Sequence, residues 1–228
     1  MNKNMNILKL LFYPFFFARK GLYEGISTLA HHITGKVLDV GCGSKPYEKL
    51  FKVDKYIGLE IDTPENRKMQ KADFYYDGQT FPFKNAFFDS VITSEVFEHV
   101  FNPDEFIKEI FRVLKPGGKL LLTVPFLWDE HSQPVDYARY TSFGIKHVLE
   151  KNGFEIIKCE KSVSGIDVIL QMLNCYIYKI AAKNRVTVYL GRFIIIPVNL
   201  IGFLITPFFP KNPDLYIDNI ILAKKESK

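Results

Sequence analysis

The sequence has few cysteines and no clustered metal-binding or redox motif. Its 228 residues include three cysteines, Cys42, Cys159 and Cys175. An odd number of widely spaced cysteines excludes a dense disulfide framework, and it excludes the close pairing of a zinc or thiol–disulfide site. We therefore expect reduced thiols, a cytoplasmic location and no bound metal.

Strong positive charge is also missing. Lysine and arginine number 30 and aspartate and glutamate 25, so the net charge is +5. A nucleic-acid-binding surface usually carries a denser basic stripe with interleaved aromatic residues. We therefore expect no nucleic-acid partner.

An uninterrupted membrane span and a conventional signal peptide are missing too. The apolar run at residues 10–18 is too short to cross a bilayer and lacks a small-residue cleavage site. A second run, residues 193–210, has no charged residue and the length of a minimal span, but Pro197, Asn199 and Pro207 interrupt it. Basic residues flank both runs, which favours a location at a membrane surface over a full span.

The most informative stretch is residues 37–47. An apolar run there ends in Asp39, and Gly41 and Gly43 follow. This pattern indicates a strand that enters a tight loop, where glycine permits close approach of a ligand to the backbone. A dinucleotide-binding loop has a third glycine three residues after the second, and this sequence has Pro46 there. A nicotinamide-dependent oxidoreductase is therefore disfavoured.

Together with segments further along, this stretch resembles the class I S-adenosylmethionine-dependent methyltransferases, in their type 11 branch. The resemblance covers roughly residues 35 to 160. The matching segments are a second strand that ends at Glu60-Ile61, an acidic loop at Asp77-Gly78, a strand followed by Ser94-Glu95, and a turn at residues 115–118.

The resemblance implies S-adenosyl-L-methionine as the cofactor. In the family, the acid after the second strand binds the ribose hydroxyls and the acid of the later loop meets the adenine amino group, so Glu60 and Asp77 inherit these roles. The cofactor-binding residues expected are Asp39, Gly41, Cys42, Gly43, Glu60, Ile61, Asp77, Gly78, Ser94 and Glu95.

Strand and helix signals alternate along the chain, which predicts an α/β, Rossmann-like, doubly wound fold. We expect a mostly parallel seven-stranded sheet with helices on both faces, and the family pattern implies an antiparallel seventh strand. A helix over residues 45–51 should aim its amino-terminal dipole at the ligand. The predicted segments are an N-terminal apolar helical segment interrupted by Gly21 and Gly25 (1–34), the cofactor-binding core (35–161), an apolar helical insertion (162–213), and the last strand with a basic tail (214–228).

The acceptor should lie beside the loops that follow the fourth and fifth strands, because ligands of open α/β sheets bind at the carboxyl ends of the strands. His131 is a candidate base near neutral pH, Asp136 could orient it, and His99 in the earlier loop is a second candidate. Tyr137, Arg139 and Tyr140 are candidate acceptor-binding residues. The alternative is that Asp136 and Arg139 pair and fix the loop.

Residues 131–141 resemble a segment of bacterial methyltransferases from cell-surface glycan and glycolipid pathways. Residues 162–213 are rich in apolar side chains and fit two helices joined near residues 183–185. We interpret them as a hairpin that docks on the inner face of the cytoplasmic membrane, with a dimer interface or a lid as alternatives.

The sequence therefore predicts a methyltransferase that acts on a small-molecule or lipid-linked acceptor, by O-methylation of a glycan or glycolipid intermediate. C- or O-methylation of a quinone or isoprenoid is the alternative within the enzyme class. A membrane-associated scaffold that binds the cofactor without turnover is the alternative of another class.

Overall fold

A computed structural model describes residues 11–226, and one seven-stranded sheet organises them. The order of the strands across the sheet is β3-β2-β1-β4-β5-β7-β6. The strands are β1 (Lys36–Val40), β2 (Lys55–Ile61), β3 (Phe74–Tyr76), β4 (Phe88–Ser94), β5 (Leu114–Pro125), β6 (Phe154–Ser164) and β7 (Tyr216–Lys225). Six α-helices connect them or precede them: α1 (Phe16–Leu29), α2 (Pro64–Met69), α3 (Pro103–Val113), α4 (Ser142–Lys151), α5 (Ile166–Ala181) and α6 (Arg185–Ile205).

The predicted doubly wound fold is confirmed. Strand β1 pairs in parallel with both β2 and β4, so the strand order reverses at the end of β1. Strand β7 pairs antiparallel with β5, as expected. In open α/β sheets ligands bind at such a reversal, outside the carboxyl ends of the strands, and the glycine loop follows β1 at this point.

The chain divides into two compact units. The core unit comprises residues 24–126, 130–160 and 218–226, and the hairpin unit comprises residues 11–23, 127–129 and 161–217. In the core unit the central strands β1, β4 and β7 are mostly buried, as strands covered on both faces should be. Helix α3 buries Phe106, Ile107, Ile110 and Val113 at helical spacing.

The predicted helix over residues 45–51 is wrong. The structure has a single 3₁₀ turn there, Glu48–Leu50. Lys45 has a positive φ of 55°, which a right-handed helix cannot contain, and its ammonium group pairs with Asp73 at 2.6 Å. The helix dipole therefore contributes no ligand-binding site at this position.

The predicted interruptions at Gly21 and Gly25 are also wrong, because α1 runs through both residues. A Cβ on Gly21 would lie 2.4 Å from Val163, and a Cβ on Gly25 would lie 2.2 Å from Ile220. Each glycine permits close packing inside its own unit. Residues 1–10, which include the start of the first apolar run, lie outside the described residues.

The hairpin unit contains the two predicted helices, and their junction is at the predicted place. Asn184 begins α6 with a capping box, in which the Thr187 amide donates to the Asn184 side chain at 2.9 Å. Helix α6 continues through Pro197 and Asn199, so the interruption predicted for these residues is wrong. The Asn199 amide is instead buried and donates to the carbonyls of Leu11 and Tyr13 at 2.8 and 3.0 Å.

A narrow stripe of α6 is buried, and the other described side chains of the helix are exposed or half-buried. The buried residues are Gly191, Ile195, Asn199 and Gly202, which recur at helical spacing. Within the part of the chain that the structure describes, the segment Val186–Phe208 is long and apolar enough to cross a membrane by length and composition, and 22% of its most apolar window is buried.

Candidate active site

The loop after β1 depends on two glycines with left-handed backbone. Gly41 has φ +72° and Gly43 has φ +47°, a region that side chains with a Cβ adopt at a cost. A Cβ on Gly41 would lie 2.3 Å from a methyl group of Val96. The cofactor loop therefore packs directly against the segment that follows β4.

Glu60 closes the other side of this loop from the end of β2. One carboxylate oxygen accepts the Gly43 amide at 2.9 Å, and the other accepts the Ile61 amide at 3.2 Å. The carboxylate thus lies beside the glycine loop, where a doubly wound fold presents an acid to ribose hydroxyls. Ribose binding by Glu60 and contact of the cofactor with Ile61 stay predictions.

Asp39 supports the loop from beneath. Its side chain is buried and accepts a hydrogen bond from the Tyr56 hydroxyl at 2.6 Å. Burial raises the pKa of the Asp39 carboxyl to about 7, although the Tyr56 hydrogen bond opposes the shift. The structure places Asp39 as a support of the loop, and its predicted contact with the cofactor stays a prediction.

Asp39→Asn should make the cofactor-free protein less sensitive to pH. The folded pKa lies above the unfolded value, so the folded state holds the proton between pH 4 and 7, and the free energy of unfolding falls as the pH rises through this range. We expect a wild-type loss from this group of about 2–3 kcal/mol between pH 5 and 8. Urea unfolding of both proteins at the two pH values measures the difference, and an equal pH dependence in the two would contradict the assignment.

Asp73 was not identified from the sequence, and it holds the loop from a third side. Its carboxylate accepts the Gly58 amide at 2.7 Å and pairs with Lys45. A Cβ on Gly58 would lie 2.5 Å from Lys45 and 2.7 Å from the sulfur of Cys42. Burial raises the pKa of the Cys42 thiol to about 12, so this thiol stays protonated. No sequence motif marks Asp73, because its role depends on the pairing of β2 and β3.

Asp77 lies in an exposed turn after β3. One of its oxygens accepts the amides of Gln79 and Thr80 at 2.8 and 3.0 Å. These backbone hydrogen bonds hold the pKa of the Asp77 carboxyl below its usual value. Gly78 has φ +84°. The turn holds the Asp77 carboxylate in its ionised form at the surface. Contact of Asp77 with adenine stays a prediction.

The segment after β4 begins with a tight polar arrangement. The Thr123 hydroxyl donates to the Glu95 carboxylate at 2.8 Å, and the hydroxyls of Ser94 and Thr123 lie 2.9 Å apart. Glu95 has a positive φ of 55°, a strained conformation of the kind that clusters at functional sites. Ser94 and Glu95 directly precede Val96, which packs on Gly41 of the cofactor loop, and their contact with the cofactor stays a prediction.

A 3₁₀ turn, Phe97–His99, then brings together one carboxylate and two imidazoles. Glu98 is fully buried, and neither of its oxygens has a hydrogen-bond partner among residues 11–226. The Nε2 atoms of His99 and His131 lie 3.7 and 3.9 Å from Glu98 Oε1. The two imidazole rings meet edge to face, with centroids 4.7 Å apart. The structure thus joins two histidines that are 32 positions apart in the sequence.

Burial is the main electrostatic feature of this cluster. Burial, and after it the negative charge of Glu95, raise the pKa of the Glu98 carboxyl to about 9. Burial also lowers the pKa of His99, which keeps its imidazole neutral near pH 7. Glu98 was missed in the sequence because an acid beside a histidine is usually solvated. Its burial below the loop that carries His131 is a tertiary effect.

Other residues orient the two imidazoles. His99 Nδ1 lies 2.6 Å from the Val135 carbonyl. A carbonyl can only accept, so Nδ1 carries the proton and Nε2 keeps a lone pair. His131 Nδ1 lies 3.4 Å from Asp136, whose carboxylate also accepts the His131 amide at 2.9 Å. Arg139 Nη2 lies 3.5 Å from the same Nδ1, so Asp136 and Arg139 both face this ring, and orientation of His131 by Asp136 stays a prediction.

Arg139 pairs with Asp136 through two hydrogen bonds of 2.6 and 2.8 Å. The guanidinium holds the pKa of the Asp136 carboxyl well below its usual range. The alternative in which these two residues fix the loop thus has a direct geometric basis.

Tyr137 is exposed and stacks edge to face on Phe101, whereas Tyr140 is half-buried against Phe97. Acceptor binding by Tyr137, Arg139 and Tyr140 stays a prediction.

Comparison with known proteins identifies the central part of the chain. The methyltransferase domain family matches residues 38–122. A probable S-adenosylmethionine-dependent methyltransferase of Mycolicibacterium smegmatis is 28% identical over 56% of this chain and 55% of its own length. A ubiquinone biosynthesis O-methyltransferase of Xanthomonas oryzae is 32% identical over 39% of this chain and 42% of its own. The chain thus spans about half the length of these curated relatives.

Solved structures agree on the fold. Phosphoethanolamine N-methyltransferase 2 of Haemonchus contortus, in complex with S-adenosyl-L-methionine, superposes with a TM-score of 0.57 at 19% identity, over 99% of this chain and 58% of that one. Residues 38–122 therefore form a methyltransferase domain, and its cofactor is S-adenosyl-L-methionine. The glycine loop fits this cofactor, because Gly43 leaves open space where a Cβ would stand.

Proposed function

We propose that this S-adenosylmethionine-dependent methyltransferase transfers its methyl group to a hydroxyl oxygen of a lipid-linked or membrane-delivered acceptor. The cluster of Glu98, His99 and His131 is the observation that carries the proposal. Glu98 and His99 lie in the turn that directly follows Val96, and Val96 packs on Gly41 of the cofactor loop. A hydroxyl bound at the cluster would therefore lie beside the cofactor, at the carboxyl ends of β4 and β5.

Methyl transfer to oxygen is an in-line displacement at the methyl carbon of the sulfonium. The hydroxyl loses its proton, the oxygen–carbon bond forms, and the carbon–sulfur bond breaks to release S-adenosylhomocysteine. The cofactor supplies the activated methyl group, so the protein has to align the oxygen and promote loss of the proton. We assign this second task to the cluster, whose imidazoles are held by Val135 and Asp136.

The hairpin unit supports a membrane-delivered acceptor. Large apolar side chains cover the exposed surface of α6 and the turn after it: Val186, Tyr189, Leu190, Phe193, Ile194, Leu200, Ile201, Phe203, Leu204, Ile205, Phe208 and Phe209. The unit also carries Lys179, Arg192 and Lys211 near this surface in sequence. Anionic lipids attract basic residues that border an apolar helix, so we propose that α6 lies in the membrane interface.

Two exposed phenylalanines test the membrane assignment. Phe193 and Phe208 are 74% and 86% exposed, so glutamate at both positions should leave the fold intact and oppose contact with lipid. We expect the double variant Phe193→Glu, Phe208→Glu to lose at least about 10-fold in partitioning to vesicles of mixed anionic and neutral lipid. Flotation of the vesicles measures the bound fraction.

The matched control for this experiment is Phe143→Glu. Phe143 is 83% exposed in the core unit, so the same chemical change there should leave partitioning unchanged. Equal flotation of the double variant and the wild type would show that α6 does not contact the membrane.

Acceptor identity is tested with the tritiated methyl group of S-adenosylmethionine. The purified protein is incubated with polyprenyl-linked saccharides and, separately, with phenolic quinone precursors in vesicles, and label is counted in the lipid extract. We expect label as a methyl ether on a hydroxyl, identified by mass spectrometry. Label on carbon or nitrogen alone would contradict O-methylation, and label in no lipid acceptor would contradict the acceptor class.

A quinone precursor is the second candidate acceptor. The observation that favours it is the 32% identity to a ubiquinone biosynthesis O-methyltransferase. Quinone precursors are apolar and carry acidic phenolic hydroxyls, so they fit both the proposed membrane surface and the imidazole cluster. The two arms of the labelling experiment separate this candidate from the lipid-linked saccharides.

A further inference from the structure

The cluster after β4 has the composition of a transition-metal site. Its three potential ligand atoms, one from each of Glu98, His99 and His131, all lie within 4.8 Å of one another. Two imidazole nitrogens and one carboxylate oxygen suit zinc, iron and similar divalent ions. The cysteine pattern of the sequence gave no indication of such a site, because no cysteine takes part in it.

Glu98 provides an independent indication of a ligand. Its carboxyl is fully buried, and within the described ranges neither oxygen has a hydrogen-bond partner. Buried polar atoms are normally hydrogen-bonded, and leaving a carboxyl without such a partner is costly. A cation bound between Glu98 Oε1 and the two imidazoles would satisfy this group.

The separations between the three ligand atoms approach those of a tetrahedral metal site. With metal–ligand bonds of about 2.1 Å and tetrahedral angles, two ligand atoms lie about 3.4 Å apart. The Nε2 atoms of His99 and His131 lie 3.7 and 3.9 Å from Glu98 Oε1. All three ligand atoms lie within 4.8 Å of one another, so side-chain rotations that shorten these separations by up to about 1.4 Å would complete three corners of the site.

The groups behind the imidazoles are those that metal-bound histidines use. Such a histidine almost always donates its other ring N–H to a carbonyl or a carboxylate, which orients the ring. His99 Nδ1 lies 2.6 Å from the Val135 carbonyl, and His131 Nδ1 lies 3.4 Å from Asp136. Arg139 Nη2 also lies 3.5 Å from His131 Nδ1. The Nε2 atoms of both rings lie near the same carboxylate oxygen, at 3.7 and 3.9 Å from Glu98 Oε1.

We propose that Glu98, His99 and His131 bind one divalent transition-metal ion that coordinates the hydroxyl oxygen of the acceptor. The role in methyl transfer rests on the proposed function; metal binding itself does not. Three protein ligands leave at least one coordination position open, as in catalytic zinc sites. A coordinated hydroxyl releases its proton to water more readily, and the resulting oxyanion attacks the methyl carbon.

Cobalt(II) is the probe for this site. We titrate the untagged full chain with Co²⁺ alone and record the visible absorption of the bound ion. We expect one Co²⁺ per chain, and we expect Glu98→Gln and His131→Ala each to weaken its binding by at least about 100-fold. Asp136→Asn should weaken it by about 10- to 100-fold, because Asp136 orients a ligand without being one.

A second pair of histidines supplies the matched control. His31 and His32 are adjacent in sequence and their rings lie 3.9 Å apart, but among residues 11–226 no carboxylate joins them in a three-ligand cluster. His31→Ala should leave Co²⁺ binding unchanged. Absence of a stoichiometric Co²⁺ spectrum in the wild type, or equal binding by the wild type and Glu98→Gln, would overturn the proposal.

The same preparations separate this inference from the proposed function. Far-ultraviolet circular dichroism and the affinity for S-adenosylmethionine, measured with a chelator present, establish that each variant is folded. A wild type that binds S-adenosylmethionine but no Co²⁺ refutes the metal site alone. A wild type that binds Co²⁺ but fails to methylate any hydroxyl acceptor refutes the proposed reaction and leaves the metal site supported.

Discussion

Gly41→Val is expected to weaken the binding of S-adenosylmethionine by at least roughly 100-fold. A β-branched residue is strained at φ +72°, and its Cβ would lie 2.3 Å from Val96. The loop would have to move away from the segment after β4, and it would lose the close backbone approach that the cofactor needs. Isothermal titration calorimetry of the purified variant measures the affinity.

Two further variants keep this prediction falsifiable. Gly144 has no backbone strain of this kind, and a Cβ there would lie 3.4 Å from the Thr141 hydroxyl, so Gly144→Ala should bind the cofactor normally. Should Gly41→Val fail to fold, Glu60→Gln provides a milder test. It removes one charge and should weaken binding by about 10- to 100-fold, because hydrogen bonds to charged groups contribute more than neutral ones. Wild-type affinity in a folded Gly41→Val or Glu60→Gln would contradict the placement of the cofactor.

His131→Ala has the second large expected effect, and it acts on turnover. The imidazole lies beside Glu98 and is supported by Asp136, so its removal should lower the rate of methyl transfer by about 10²- to 10⁴-fold. The cofactor loop does not include His131, so the affinity for S-adenosylmethionine should change by less than about threefold. Formation of S-adenosylhomocysteine in the presence of the acceptor found by labelling measures the rate.

His147→Ala is the matched control for turnover. His147 is exposed on α4, and its loss should leave both turnover and cofactor affinity unchanged. An equal loss of turnover in the two variants would point to a general effect of removing a histidine. Unchanged turnover in His131→Ala would show that the cluster does not activate the acceptor.

Local patterns in the sequence predict most of the core. The apolar run that ends in Asp39, Gly41 and Gly43 indicates a strand and its loop, since glycine permits the left-handed backbone that a tight loop requires. The prediction of a helix at residues 45–51 is wrong because Lys45 turns to meet Asp73, a partner 28 positions away. Local helix propensity cannot reveal such a distant contact, and the contact overrides the propensity.

In the hairpin unit, composition correctly predicts two helices. The prediction that a polar residue interrupts the second helix is wrong. Asn199 reads as an interruption in the sequence, yet it is buried and binds the backbone of Leu11 and Tyr13. Asn174 donates to Asn199 at 2.7 Å, so the two asparagines join α5 and α6. A helix tolerates such residues where neighbouring segments satisfy their amides.

The active-site cluster shows the limit of sequence reasoning most clearly. His131, Asp136 and His99 stand out because histidine near an acid is chemically versatile. The two histidines approach Glu98 because β4 and β5 are adjacent in the sheet and because the turn that carries Glu98 is buried. Neither spacing nor composition reports burial of a single acid in a loop.

The most direct test of the account is calorimetric titration of the purified, detergent-extracted protein with S-adenosylmethionine and, separately, with NADH. We expect binding of S-adenosylmethionine in the micromolar range and no binding of NADH. Failure of a demonstrably folded protein to bind S-adenosylmethionine would contradict the account and favour a scaffold that retains the fold without the reaction.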